Sequence, residues 1–290
     1  MLSTDVTLHS AGATTASEHP AAPILLAATL YLPEAPPSGP WTGSPAGSPP
    51  QSPAALLPGL VVGHGAGSRR SHHADFCEAA ASEGFAVLAL DLRGHGDSEG
   101  AADGPLEDDI VVAVRFLKKH RAVDGSRLCY RGSSMGAFYG LKAATSGLFK
   151  AVALLCPASE QLMLEGLDTI VAYNTDTETE GADEAKGADE AKPEASPRPP
   201  RRVGTTWDVP ATRAYFSHQD SLALAARVKC PVLLIHARGD EVVPLSHTLA
   251  LAEHLRGDTT VVALKGGTHR SAQHDPAVHH LTTRWLLDHV

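Results

Sequence analysis

Gly132, Ser133, Ser134, Met135 and Gly136 set one serine between two glycines at the spacing a nucleophilic turn requires. A serine hydroxyl attacks a carbonyl only when a base takes its proton and a fixed geometry brings it within reach. Glycine on either side leaves room for a strand and a helix to cross closely beneath that hydroxyl. Such a run also arises by chance, and a serine before a helix is commonly no more than an N-cap. Ser133 is the neighbouring rival, expected to point away. Partners decide the matter. Asp240 lies in the run Gly239, Asp240, Glu241, Val242, Val243, Pro244, where a carboxylate can orient an imidazole, with Glu241 as the competing acid. His269, after Gly266, Gly267 and Thr268, is the leading base. The order Ser134, Asp240, His269 is that of one known triad geometry.

Acyl transfer also needs two backbone N–H groups aimed at the developing oxyanion. Met135, next after the nucleophile, supplies one. Gly63, His64, Gly65, Ala66, Gly67 and Ser68 form a second glycine-rich turn, and Ala66 is the expected donor because its glycine neighbours let the backbone approach a substrate. A phosphate-binding loop would end in Lys followed by Ser or Thr, whereas this one continues as Ser68, Arg69, Arg70. His64 is better read as a brace for the loop than as a base. The chain has 16 histidines, so single ones carry little weight. His72 with His73, His274, and His279 with His280 lack the paired spacing with acids or cysteines that a zinc site shows, and read as surface or cap residues. No metal or organic cofactor is expected.

These turns need elements to hold them. Short apolar runs at 59–63, 85–90, 127–130, 151–155, 232–236 and 260–264 suit buried parallel strands. Segments of helical period separate them, near 73–83, 105–121, 135–146, 221–228, 246–255 and 276–288. Pro105 suits a first helical position, and Leu106, Ile110, Val114 and Leu117 then make one buried stripe. Residues 4–9 and 24–32 are expected to pair antiparallel ahead of the rest. The pattern predicts a doubly wound, mostly parallel sheet of eight strands with helices on both faces. Ser134, Ala66, Asp240 and His269 each follow a predicted strand, and ligands bind at the carboxyl ends of such sheets.

Composition sets outer bounds. Of 290 residues, 43% are apolar and 20% charged, ordinary for a globular chain. The net charge is −9, and seven acids against two lysines between 174 and 192 account for −5 of it. Nothing forms a basic face for nucleic acid. Cys77, Cys129, Cys156 and Cys230 are spread apart and read as reduced thiols. The apolar run 23–30 is too short to span a membrane and has no basic flank, so a cytoplasmic protein is expected. Two stretches lack the residues a core needs: a Pro-, Gly- and Ser-rich insertion at 33–58, and an insertion at 157–228 whose middle, about 174–202, holds a tandem Gly-Ala-Asp-Glu-Ala-Lys repeat. One domain, 1–290, is expected around them.

Taken together, the glycine-rich turn 63–68, the stretch Asp91 to Ser98, the Ser134 turn, the Asp240 loop and His269 resemble the α/β-hydrolase superfamily. The resemblance is greatest to its dienelactone-hydrolase, monoglyceride-lipase and serine-aminopeptidase-like members. It implies a serine hydrolase, with 91–98 shaping the site, Arg93 and His95 structural, and 157–228 in the place of a lid. Carboxylic esters are the expected substrates. A peptidase or amidase, a thioesterase or acyltransferase, and a non-catalytic binding protein on the same fold are the alternatives. Leu162, Met163, Leu164, Leu167 and Ile170 either line an acyl pocket or pack a helix onto the core.

Overall fold

Strand β1 (Leu2–Ser10) pairs antiparallel with β2 (Ile24–Leu32) along its whole length, and β2 then pairs antiparallel with β4 (Ala86–Leu90). The computed structural model describes residues 1–10, 23–34, 56–183 and 205–290, with only the main chain over 172–183. Strand β3 (Leu57–Gly63) leads through a short 3-10 turn and helix α1 (Ala74–Ser82) to β4, and helix α2 (Glu107–Lys119) leads to β5 (Val123–Ser133). Helix α3 (Met135–Ala144) returns to β6 (Ala151–Leu155). Helices α4 (Glu160–Asp183), α5 (Val209–Phe216) and α6 (Ser221–Ala225) precede β7 (Val232–Ala237), then α7 (Leu245–His254), β8 (Thr259–Leu264), α8 (Ser271–His274) and α9 (Pro276–Leu287).

The sheet has eight strands in the order β1-β2-β4-β3-β5-β6-β7-β8, parallel from β4 onward. From β3 the chain winds first to β4 on one side and then to β5 on the other. That reversal makes the β3/β5 boundary a switch point, where the strand-end loops splay apart and leave a crevice. Alternation along the strands divides the core. Val61, Leu128 and Tyr130 pack with α2, α3 and α6, whereas Leu60, Val62, Cys129 and Ile235 pack with α1 and α9.

The expected strands and helices all occur, with shifted ends. Helix α2 starts at Glu107 after Leu106 as N-cap, so Pro105 precedes the helix instead of opening it; the stripe Leu106, Ile110, Val114 and Leu117 is buried as expected. Helix α4 runs on to Asp183, so the low-complexity stretch expected from 174 begins inside a helix. Most of the insertion at 33–58, and the repeat beyond 183, lie outside the described residues. His73 is the N-cap of α1, within the surface-or-cap reading, but it is buried; His279, within α9, overturns that reading, because the α1–α9 interface closes over it.

Buried neutral histidines give the fold a sensitivity to acid. His64 is fully enclosed; its Nδ1–H donates to Gly65 O at 2.8 Å and its Nε2 accepts from Leu92 N–H at 3.1 Å. Protonation would turn that acceptor into a second donor, and burial holds the imidazole down to about 4. Burial also depresses His73, His236 and His279. Each contributes stability that is complete above the ordinary value near 6.5 and is lost as pH falls through the folded value. His64 alone is worth on the order of 3 kcal/mol across that window. Thermal melts should therefore show Tm level above pH 7 and falling from pH 6.5 toward 4. A level Tm across that range would refute this account of the buried imidazoles.

Candidate active site

Register places the first two turns side by side. Gly63 stands opposite Gly132 across β3 and β5, so the chain leaves both strands at the same level. At Ser134 the main chain adopts φ 52, ψ −116, unusual for a residue with a side chain. Its N–H donates to Leu155 O at 2.9 Å, and its carbonyl accepts from Ala137, Phe138 and Ala158 N–H at 3.0–3.2 Å. The flanking glycines make the crossing possible: a Cβ on Gly136 would sit 2.5 Å from His64 O, and one on Gly132 2.5 Å from Gly136 O. Ser133, by contrast, is buried away from the crevice. Helix α3 begins at Met135, whose N–H is among those a helix cannot satisfy internally.

The glycine-rich turn folds against this corner. A Cβ built on Gly65 would lie 3.3 Å from the Ser134 Cβ. Ser68 N–H closes the turn onto Gly65 O at 3.1 Å, with Gly67 at φ 66, so the turn's own bond leaves the Ala66 N–H unused. His64 braces this turn to Leu92, the role expected for it. Behind the turn, Asp91 is fully buried, accepts from Asp97 N–H at 2.9 Å and is paired with Arg70. Arg93 is likewise buried and bonds Asp109 through Nη2 at 2.6 Å and Nε at 3.0 Å. The 91–98 stretch is thus anchored by its own charges, and the His95 ring packs edge-on to Trp207 at 5.3 Å.

Asp240 and His269 meet at the ends of β7 and β8. The imidazole Nδ1–H donates to Asp240 Oδ2 at 2.8 Å, while Oδ1 accepts from Val242 N–H at 2.9 Å and Val243 N–H at 2.8 Å. Burial by itself would raise this carboxyl, but the Val243 amide, His269 and the Val242 amide outweigh it and hold Asp240 below the ordinary carboxylate range. Glu241, the competing acid, accepts instead from the His269 backbone N–H at 3.0 Å. It holds the histidine's main chain, not its ring. The imidazole is nearly enclosed, with 11% of its side chain exposed. Among the described residues no hydrogen bond joins the Ser134 hydroxyl to the His269 ring.

Two neighbours of Asp240 have no motif to announce them. His236, on β7, lies buried with Nε2 3.5 Å from Asp240 Oδ2, donates Nε2–H to Val243 O at 3.0 Å, and through Nδ1 accepts from the Thr248 hydroxyl at 2.7 Å. Cys156, just past β6 at φ 44, brings its sulfur within 4.8 Å of ligand atoms of both Asp240 and His269. Thiol, carboxylate and imidazole together are donors that a borderline cation such as zinc accepts. Here the thiol is pushed up to about 12 by burial and Asp240, and the carboxylate oxygens are already engaged, so the trio fits a hydrogen-bonded cluster better than a metal cage.

The ordered flanks of the 157–228 insertion cover one side. Met163 is buried in the core and Leu167 is also buried, with Leu162 and Leu164 partly buried against the core, which favours helix packing for these residues over a pocket lining. Asp208 caps α5 by accepting from Ala211 N–H at 3.0 Å, and Arg213 reaches Asp168 of α4 at 2.6 Å. No helix among the described residues is long and apolar enough to cross a membrane.

The profile of the Alpha/beta hydrolase family matches residues 60–279, and the chain belongs to that family. Among curated proteins, the chain is 32% identical over 110 residues to the quorum-quenching protein AidA of Acinetobacter baumannii, a match spanning 36% of each chain. It is 25% identical over 234 residues to the uncharacterized protein Rv2307c of Mycobacterium tuberculosis, covering 80% of this chain and 68% of that one. In fold it is similar to Est1E from Butyrivibrio proteoclasticus, solved with ferulic acid bound, at a TM-score of 0.64 and 20% identity over 92% of this chain and 96% of that one.

The two carboxylates separate cleanly by substitution. Asp240→Asn should lower kcat for any substrate of this site by roughly 10³–10⁴, because an amide disturbs the tautomer and charge of the imidazole. Glu241→Gln keeps a carbonyl acceptor for the His269 N–H and should cost less than about tenfold. Steady-state kinetics on both variants decide it, and a larger loss in Glu241→Gln would reverse the assignment.

Proposed function

We propose that the protein is a serine hydrolase of carboxylic esters, with Ser134 as nucleophile, His269 as general base and Asp240 as the acid that orients it. The observation that supports this most is the 2.8 Å bond between His269 Nδ1 and Asp240, formed at strand ends in the same sheet that holds Ser134 in its strained turn. That bond leaves His269 Nε2 free to take a proton. In the proposed reaction His269 removes the Ser134 proton as Oγ attacks the ester carbonyl. The N–H groups of Ala66 and Met135 stabilise the oxyanion. The imidazolium then gives its proton to the departing alcohol, and water, activated by the same histidine, releases the acid.

Ester substrates are preferred over amides because nothing in the sequence supplies an acidic clamp for a peptide amine. The carboxylic acid bound to Est1E agrees with an acyl group as the recognised part. Thioester and acyl-transfer chemistry would use the same three residues with a different acceptor. Four free cysteines suit a reducing, cytoplasmic setting.

Hydrolysis of p-nitrophenyl acyl esters of increasing chain length, run beside an aminoacyl anilide, tests the reading. Wild type should turn over the esters, and Ser134→Ala should lose at least about 10³-fold in kcat. Activity confined to the anilide, or a Ser134→Ala enzyme at the native rate, would overturn it.

A further inference from the structure

Three residues before Ser134, β5 carries Arg131, and strand alternation sends it with Cys129 to the face covered by α1 and α9. The side chain is 0% exposed, and among the described residues no carboxylate pairs with it. Its Nη1–H donates to His73 Nδ1 at 3.0 Å, its Nη2–H donates to Gln273 O at 3.2 Å, and the guanidinium lies 4.4 Å over the Phe76 ring. Nε has no partner among the described residues. Asp75, whose charge reaches this site, spends its carboxylate on His274 at 2.9 Å and on Phe76 N–H at 2.8 Å. Burial pushes the guanidinium down to about 10, still charged at neutral pH. A buried cation lacking a counter-ion is expensive, and an apolar side chain of similar length would suit Phe76 and Cys77 better.

What the arginine gains is a hold on the histidine turn. Gln273 lies one helical turn beyond His269, and its side-chain amide donates to His269 O at 3.2 Å. Its own carbonyl accepts from both Arg131 and His279 Nε2–H, the latter at 2.7 Å. Other bonds of this turn run to the Asp240 loop through Glu241 and the His269 ring, reach Asp75 of α1 through His274, or stay within it between Thr268 and Ser271. Among the described residues no other hydrogen bond joins β5 to 266–274.

We propose that Arg131 is a positioning residue, which fixes His269 relative to Ser134 by tying the strand of the nucleophile to the turn of the base through Gln273. The inference rests on the serine-hydrolase reading and adds to it a cost accepted in stability. Displacement of a catalytic group by about 1 Å can cost 10²-fold in rate. An uncharged replacement should therefore separate activity from stability.

The test compares wild type, Arg131→Met and Arg131→Lys by p-nitrophenyl ester kinetics and thermal melting. Arg131→Met should lose roughly 10- to 100-fold in kcat with KM within about twofold, while Tm stays level or rises. Arg131→Lys, keeping a cationic donor, should recover part of kcat. If Arg131→Met does not fold, Arg131→Lys carries the test, and a reduced kcat at unchanged Tm supports the proposal. Native kcat in Arg131→Met, or in Arg131→Lys where only that variant folds, overturns it, as does a kcat that falls only in step with Tm. A wild type unable to hydrolyse the esters would instead remove the ester-hydrolase reading on which the proposal rests.

Discussion

A residue with a side chain resists φ 52, ψ −116, and holding Ser134 there costs about 1–3 kcal/mol that the surroundings must supply. Leu155 O fixes its N–H, three amides converge on its carbonyl, and Tyr130 Oη–H donates to Gly136 O at 2.7 Å beneath the turn. Side chains are missing at 132 and 136, where backbones pass too closely to admit them, and at 65, where a Cβ would press on Ser134 at 3.3 Å. The same closeness puts the Gly65–Ser68 turn against the start of α3. Ala66 in the one turn and Met135 at the start of the other are thereby brought to the same corner of the sheet as Ser134. The proposed nucleophile and the proposed oxyanion donors thus share a single packing constraint at the β3/β5 switch point.

The other half of the site depends on burial. Asp240 sits at the end of β7 with both oxygens bonded, and that network holds it charged in an enclosed place. His236 and Thr248 back it from the sheet side, and Arg131, Gln273 and His279 back the histidine turn. Each is a buried polar group whose cost a hydrocarbon core would avoid. They cluster behind His269 and Asp240, where a fixed ring orientation matters more than stability.

Much of this was legible in the sequence. Apolar runs of four to six residues marked the parallel strands, and the position of Ser134, Asp240 and His269 after such runs placed them at one edge of the sheet. The sequence favours Asp240 over Glu241 by its place after the strand, but what separates two adjacent acids is direction, and that is set by the amides of Val242 and Val243. His73 and His279 read as surface or cap residues because a His-His pair carries no periodicity; His73 does cap α1, and the α1–α9 contact buries both. Arg131 did leave a signal: a charged residue continuing a strand of Leu128, Cys129 and Tyr130 must alternate into the core. Helix α4 was hidden by composition, since its acidic C-terminal half resembles a linker more than a helix.

The central claim is that the strained serine is an activated nucleophile. Incubation with a fluorophosphonate, then intact-mass and peptide-mass analysis, reads this directly. One covalent adduct is predicted, on Ser134, absent from native-fold Ser134→Ala and slowed in Asp240→Asn. An unlabelled wild type, or an adduct on Ser133 or another residue at equal rate, would contradict it.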